Sequence, residues 1–79
     1  MQIQVKLGTT LRDYQPDYNP SAGLALQVPG GTSVRDLALS LHLPLEEIKI
    51  IMLNGRQAAL DTSLGDNDRV SFFPAVGGG

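Results

Sequence analysis

Seventy-nine residues, 42% hydrophobic and 18% charged with a formal net charge of −2, describe one small globular domain and leave little room for a deep active-site cleft. Leu, Ile, Val and Phe number 23, about 29% of the chain, which clears the roughly 20% below which chains stay disordered. With no Cys and one His, the chain excludes a disulfide framework, a Cys/His zinc site and a thiol nucleophile, while its singly scattered Lys and Arg give nucleic acid no basic stripe to bind.

Residues 2–7 alternate so that Ile3, Val5 and Leu7 share one face, the pattern of a strand with one buried side. Gly8 to Gly23 carries prolines, Asp, Asn and both tyrosines without a sustained period and reads as a long loop. Alternation returns through Leu24, Leu26 and Val28, a second strand stopped by Pro29-Gly30-Gly31. Val34, Leu37, Ala38 and Leu41 then form the stripe of an amphipathic helix, with Ser33 as N-cap, Asp36 completing a shortened capping box, and Pro44 closing it. Leu45 to Ile48 is a turn of helical character. IKIIML at 48–53 is apolar on both faces and predicts a central strand covered on each side; Asn54-Gly55 turns it back into a short, weak strand over 56–60. Leu64 plugs the core from an irregular segment, Asn67 takes φ > 0 in the following turn, and the last strand runs from Arg69 to Phe73 until Pro74 ends it. This ββαββ order implies an α+β domain over 1–73, with a mixed sheet of about four to five strands and the helix across one side, followed by a flexible tail over 74–79. No apolar run approaches the ~18 residues of a membrane span and the N-terminus lacks a signal-peptide stretch, so the expected setting is the cytoplasm, with no membrane partner.

The glycines at the end are unexplained by packing, because glycine in a tail loses the most entropy on ordering and stabilises nothing there. A linker is the bland explanation, yet Phe-Phe-Pro feeds them straight from a strand with no charged spacer. Two residues without Cβ let a chain end thread a narrow channel and leave its carbonyl carbon open to attack. From Pro74 to Gly79 an extended chain spans roughly 20 Å, enough to enter another protein while the folded body stays outside.

Thr10-Leu11-Arg12, Gly31-Thr32-Ser33-Val34-Arg35-Asp36-Leu37, Leu43-Pro44, Asn54-Gly55-Arg56, Leu64-Gly65-Asp66-Asn67-Asp68-Arg69-Val70 and Phe72-Phe73-Pro74-Ala75-Val76 before the glycines are individually weak signals. In this order and spacing the chain resembles, over nearly its whole length, the ubiquitin-like sulfur carriers, which include the small subunit of molybdopterin synthase (MoaD) and the thiamine carrier ThiS. The Phe-Phe-Pro ending looks more like the molybdopterin branch. The resemblance implies the β-grasp fold and a carrier that is not itself an enzyme. An E1-like enzyme of the MoeB/ThiF type, using ATP and Mg, adenylates Gly79; a sulfur donor protein supplies the sulfur; and the resulting thiocarboxylate is delivered inside a MoaE-like large subunit of molybdopterin synthase. The chain itself binds no cofactor or metal in this reading. The residues permit the chemistry: a carboxylate with a pKa near 3.5 is a poor acyl acceptor until an oxygen becomes a leaving group, and a chain without Cys cannot hold sulfur as a persulfide.

Gly79 is then the reacting residue and Gly78 gives clearance, while Phe73, Pro74, Val76, Gly77 and Arg12 are the candidate partner contacts. Strand parity turns Phe73 away from Val70 and Phe72, which makes it an exposed anchor unless it packs under the 8–23 loop. Arg56 and Arg69 could pair with acids on the activating enzyme, although single surface arginines are usually solvated. Tyr14 and Tyr18 are better read as closing the loop over the core, and lone His42 as a helix end. Relative to the family, Gly77 stands where Ala, Ser or Thr is usual, Asn67 and His42 where Gly is common, and Gly8 where many members place an apolar residue. Two alternatives share Gly79 or dispense with it: a ubiquitin-like modifier attacked by target lysines, and a non-covalent interaction module; the thiamine pathway is a further possible recipient of the sulfur.

Overall fold

The computed structural model describes residues 1–75, and Val76, Gly77, Gly78 and Gly79 lie outside the described residues. Strands β1 (Gln2–Leu7), β2 (Leu24–Gln27), β3 (Ile50–Leu53), β4 (Arg56–Gln57) and β5 (Arg69–Phe73) form one mixed sheet in the order β2-β1-β5-β3-β4. β1 and β5 run parallel at the centre, with Val5 opposite Val70 and Leu7 opposite Phe72. The other pairings are antiparallel. Helix α1 (Val34–Ser40) crosses one face, and the period-two and period-3.6 stripes of the sequence meet there: Ile3, Val5, Val70, Phe72, Val34, Leu37 and Ala38 are completely buried. This is the α+β architecture that the element order predicts and the β-grasp fold that the resemblance implies.

The ends of α1 show why it is short. Ser33 Oγ accepts from the Asp36 N–H at 3.1 Å and the Asp36 carboxylate accepts from the Ser33 N–H at 3.2 Å, the reciprocal capping box. Two more N–H groups that a helix start leaves free, those of Val34 and Arg35, donate to the carbonyls of Thr62 at 2.9 Å and Leu60 at 2.8 Å. The helix stops at Ser40, four residues before Pro44, not at it. His42 takes φ +61°, its N–H donates to Leu39 O, and the Leu43 N–H reaches back to Ala38 O, so the chain leaves by a left-handed cap that needs no proline.

Three further differences from the sequence reading have physical causes. The stretch from Gly8 to Gly23 is not structureless: a 3₁₀ helix over Thr9–Tyr14 buries Leu11 completely. The returning strand after Asn54-Gly55 is two residues long; the Ala58 N–H still donates to Ile51 O at 2.9 Å, and beyond it the chain turns to serve the start of α1 through Leu60 and Thr62. β3 is covered on one side only. Ile51 is buried and Leu53 half-buried against α1's face, whereas Ile50 and Met52 point to the face that a single seven-residue helix leaves bare. The hairpin itself is as expected, with Asn54 at φ +51° and Gly55 at φ +84°, the paired left-handed residues that match strand twist. Asn67 likewise sits at φ +66° and Leu64 is buried.

Candidate functional site

The site begins where β5 leaves the sheet. Its parity is that of the sequence: Val70 and Phe72 face α1, and Arg69, Ser71 and Phe73 face the open side. Two backbone hydrogen bonds hold the strand's last residues, Gly8 N–H to Phe72 O at 2.9 Å and Lys49 N–H to Phe73 O at 2.8 Å. Pro74 follows half-buried, and Ala75 is exposed. The path toward the glycines therefore starts from a point fixed on both sides, by the end of β1 and by the entry to β3. A groove of about 240 Å³ at this point is lined by Thr10, Glu46, Glu47, Lys49, Pro74 and Ala75.

Phe73 is 37% exposed and lies opposite Ile50, itself 38% exposed, in the β3–β5 register. Half-buried Met52 continues the strip along β3 on the same face. These three side chains make an apolar end to an otherwise polar surface on which Gln2, Gln4, Lys6, Gln57, Arg69 and Ser71 stand. A depression of about 480 Å³ on this face runs between Lys6, Arg69, Met52, Ser71, Phe73 and the hairpin. Phe73 is thus an exposed aromatic beside the tail root, and the 8–23 loop does not bury it, although its ring does rest on Gly8. Ile50 and Met52 were not picked out as contacts by the sequence reading. Their signal was the apolar-on-both-faces pattern of residues 48–53, taken there for two-sided burial.

Arg12 is held from within. Its Nε donates to Leu7 O at 2.9 Å and its guanidinium lies 5.7 Å from the centre of the Tyr18 ring. Tyr18 in turn accepts at its hydroxyl from the Leu7 N–H at 2.9 Å. The pairing of β1 with β2 stops at Val5 and Leu24, so Leu7 meets no ladder on that side, and these two side chains take both of its backbone groups. Tyr14 donates to Glu47 Oε2 at 2.8 Å, which ties the 3₁₀ turn to the segment before β3. That hydrogen bond, then partial desolvation and the Glu47 charge, raises the Tyr14 phenol above its ordinary value. Both tyrosines therefore brace the loop, as expected of them. Arg56 is exposed on β4 and Arg69 on β5, apart from the tail root. His42 serves the helix cap.

Among the described residues no polar or charged side chain is buried, no group of three or more His, Asp or Glu could hold a metal ion, and no helix is long and apolar enough to cross a membrane. The chemistry that the fold offers lies at its edge.

A single-helix β-grasp body whose central strand leads out to a glycine-ended segment defines a ubiquitin-like protein. The ThiS family matches residues 5–79, and the chain belongs to that family of small ubiquitin-fold sulfur carriers. No curated protein sequence matches it. Among solved structures it is similar to SAMP1 of Haloferax volcanii, at 22% identity over 100% of both chains with a TM-score of 0.73. It is similar also to a protein described as molybdopterin converting factor, subunit 1, of Pyrococcus furiosus, at 24% identity over 96% of this chain and 99% of that one, TM-score 0.73. A Helicobacter pylori complex of subunits 1 and 2 of molybdopterin-converting factor gives 20% identity, full coverage of both chains and a TM-score of 0.63. These likenesses establish the fold, and family members are generally non-catalytic carrier subunits.

Proposed function

We propose that this chain carries sulfur as a thiocarboxylate on Gly79 and delivers it to a pterin cofactor precursor, with residues 1–73 as the docking body and 74–79 as the delivery arm. Adenylation by an E1-like enzyme with ATP and Mg expels pyrophosphate; the terminal sulfur of a donor protein's persulfide then displaces AMP at the acyl carbon, and a donor thiol cleaves the resulting acyl disulfide, leaving the thiocarboxylate and a donor disulfide. Gly78 gives that carbon clearance. The observation that carries this reading is the fixed root: β5, buried at the centre of the sheet, is bonded on both flanks up to Phe73 and then passes through Pro74 into the segment that the family match follows to Gly79. Phe73, with Ile50 and Met52, is the contact for the partner enzymes; Pro74, Val76 and Gly77 enter their channel. Arg12, one donor of which is spent on Leu7, presents its remaining face to them. The large subunit of a molybdopterin-synthase-like complex is the favoured acceptor, supported by the Phe-Phe-Pro ending, and the cytoplasm is the setting.

The test is incubation of the purified chain with ATP, Mg and the E1-like enzyme of its own organism, followed by mass spectrometry of the C-terminal peptide. An acyl adenylate, and with a sulfur donor the exchange of one oxygen for sulfur, is the expected result. Persistent absence of the adenylate overturns the reading. Similarity to SAMP1, called a small archaeal modifier protein in a second solved structure at 20% identity, keeps a modifier role as the second reading. A Gly-Gly remnant on lysines of other proteins, without the sulfur exchange, would establish that role instead.

A further inference from the structure

The end of β1 meets the tail root at Gly8. Its backbone, at φ −85° and ψ 145°, is ordinary extended chain that any residue adopts, so conformation does not call for glycine. Space does. A Cβ built there would lie 2.8 Å from Phe73 Cδ1, 3.4 Å from Phe72 O and 3.4 Å from Pro74 Cδ. An atom of the Phe73 ring, Cδ1, thus stands at the end of β1 in the volume that a side chain at position 8 would occupy, with Pro74 against the same spot.

We propose that Gly8 is a positioning residue for the delivery arm: by leaving that volume empty it seats the Phe73 ring beside Pro74 and so sets both the shape of the docking end and the direction in which the chain departs toward Gly79. The proposal rests on the carrier reading given above. Gly8 cannot move aside to accept a side chain. Its N–H donates to Phe72 O and its carbonyl accepts from the Leu11 N–H, each at 2.9 Å. The next residue, Thr9, is already at φ +28°, a value that β-branched residues rarely adopt, so the corner has no slack. The ring, over a third exposed, can swing about its own torsions, and it is the part that gives way.

The experiment is a cycle of Gly8→Ala, Phe73→Ala and the double variant. It reads KM and kcat of the E1-like enzyme for the carrier and, without any enzyme, the NMR shifts of the residue 8 α-protons and the Ala75 amide. The wild-type Gly8 α-protons should show a ring-current displacement from Phe73, which Gly8→Ala and Phe73→Ala each abolish while the rest of the spectrum stays that of the folded protein. Gly8→Ala should raise KM about tenfold or more, the loss of an anchoring contact, and lower kcat as the reacting end is misaimed. In the Phe73→Ala background, adding Gly8→Ala should change KM by less than about twofold, the coupling expected of residues that act through each other. A full additional loss in the double variant, or an undisplaced Gly8 signal in the wild type, overturns the proposal. If no adenylate forms with the wild type, the carrier reading fails while the NMR arm still decides whether Gly8 seats the ring and moves the Ala75 amide.

Discussion

Phe72 and Phe73 are the same residue type on adjacent positions, and the sheet assigns them opposite tasks. Phe72 is completely buried between β1, β3 and α1, so Phe72→Ala removes a full aromatic side chain from the core and costs about 3–5 kcal/mol, cavity included. A chain of this size has a total stability of about 4–12 kcal/mol, so that single change brings it close to unfolding. Phe73 keeps 37% of its surface in water, and the covered remainder is worth about 1–2 kcal/mol. At roughly 4–8 °C per kcal/mol, melting temperatures should fall by tens of degrees for the first variant and by about 4–16 °C for the second. Binding reverses the order. As an exposed aromatic anchor beside the tail root, Phe73 should cost about 2 kcal/mol of partner affinity on truncation, roughly thirtyfold, when both proteins are compared at a temperature where each is folded. The assay pairs urea unfolding followed by circular dichroism with KM measurements against the adenylating enzyme. A Phe73→Ala protein destabilised as severely as Phe72→Ala, or one that is charged with wild-type KM, refutes the division of labour.

Ser33→Ala removes the hydroxyl that caps α1 and leaves the Asp36 N–H without its acceptor, while the Asp36 carboxylate keeps the residue 33 N–H; a loss of about 1 kcal/mol is expected in urea unfolding, and an unchanged midpoint would deny the cap its role. Tyr14→Phe breaks the link to Glu47, and the wild-type advantage it removes should depend on pH. Because the folded phenol holds its proton more tightly than the unfolded one, that advantage is complete below about pH 10 and declines as the pH rises through the raised folded value; melts of both proteins from neutral to alkaline pH check it, and a pH-independent difference contradicts it.

Periodicity made β1, β2, α1 and β5 legible, and their registers follow from one buried face each. The 3₁₀ turn at Thr9–Tyr14 was not legible because one turn is too short to show a period: Leu11 stands alone there as an apolar residue, and only the fold reveals that it fills the core. β3 misled because a strand apolar on both faces need not be covered on both. Ile50 and Met52 look like core residues in sequence, yet they belong to the bare side of the sheet beside Phe73, the side that the proposed docking would cover. The exposure of Phe73 was readable from parity alone. The fit of Gly8 under its ring was not, since a glycine in a sequence carries no mark of which neighbour occupies its empty volume.

Arm length gives the sharpest remaining test of how body and tail cooperate. Ala75 ends the path that the sheet fixes, and the four residues from Val76 to Gly79 reach about 13–14 Å beyond it at full extension. If the partner's reaction centre is set at that reach, deleting Val76 withdraws the acyl carbon by about 3.4 Å, and positioning losses of roughly a hundredfold in the transfer step follow from a displacement of even an ångström. Inserting a glycine after Ala75 leaves the centre within reach and only dilutes the end over a larger volume, a penalty of about 1.4-fold from the three-halves power of chain length. The two variants differ from the wild type by one residue each, in opposite directions, and neither alters the described body. Single-turnover transfer from the preformed thiocarboxylate, measured with each, should therefore be strongly asymmetric. Equal rates for deletion and insertion would mean that the arm is not read at extension, and that the docking end, not the reach from Ala75, places Gly79.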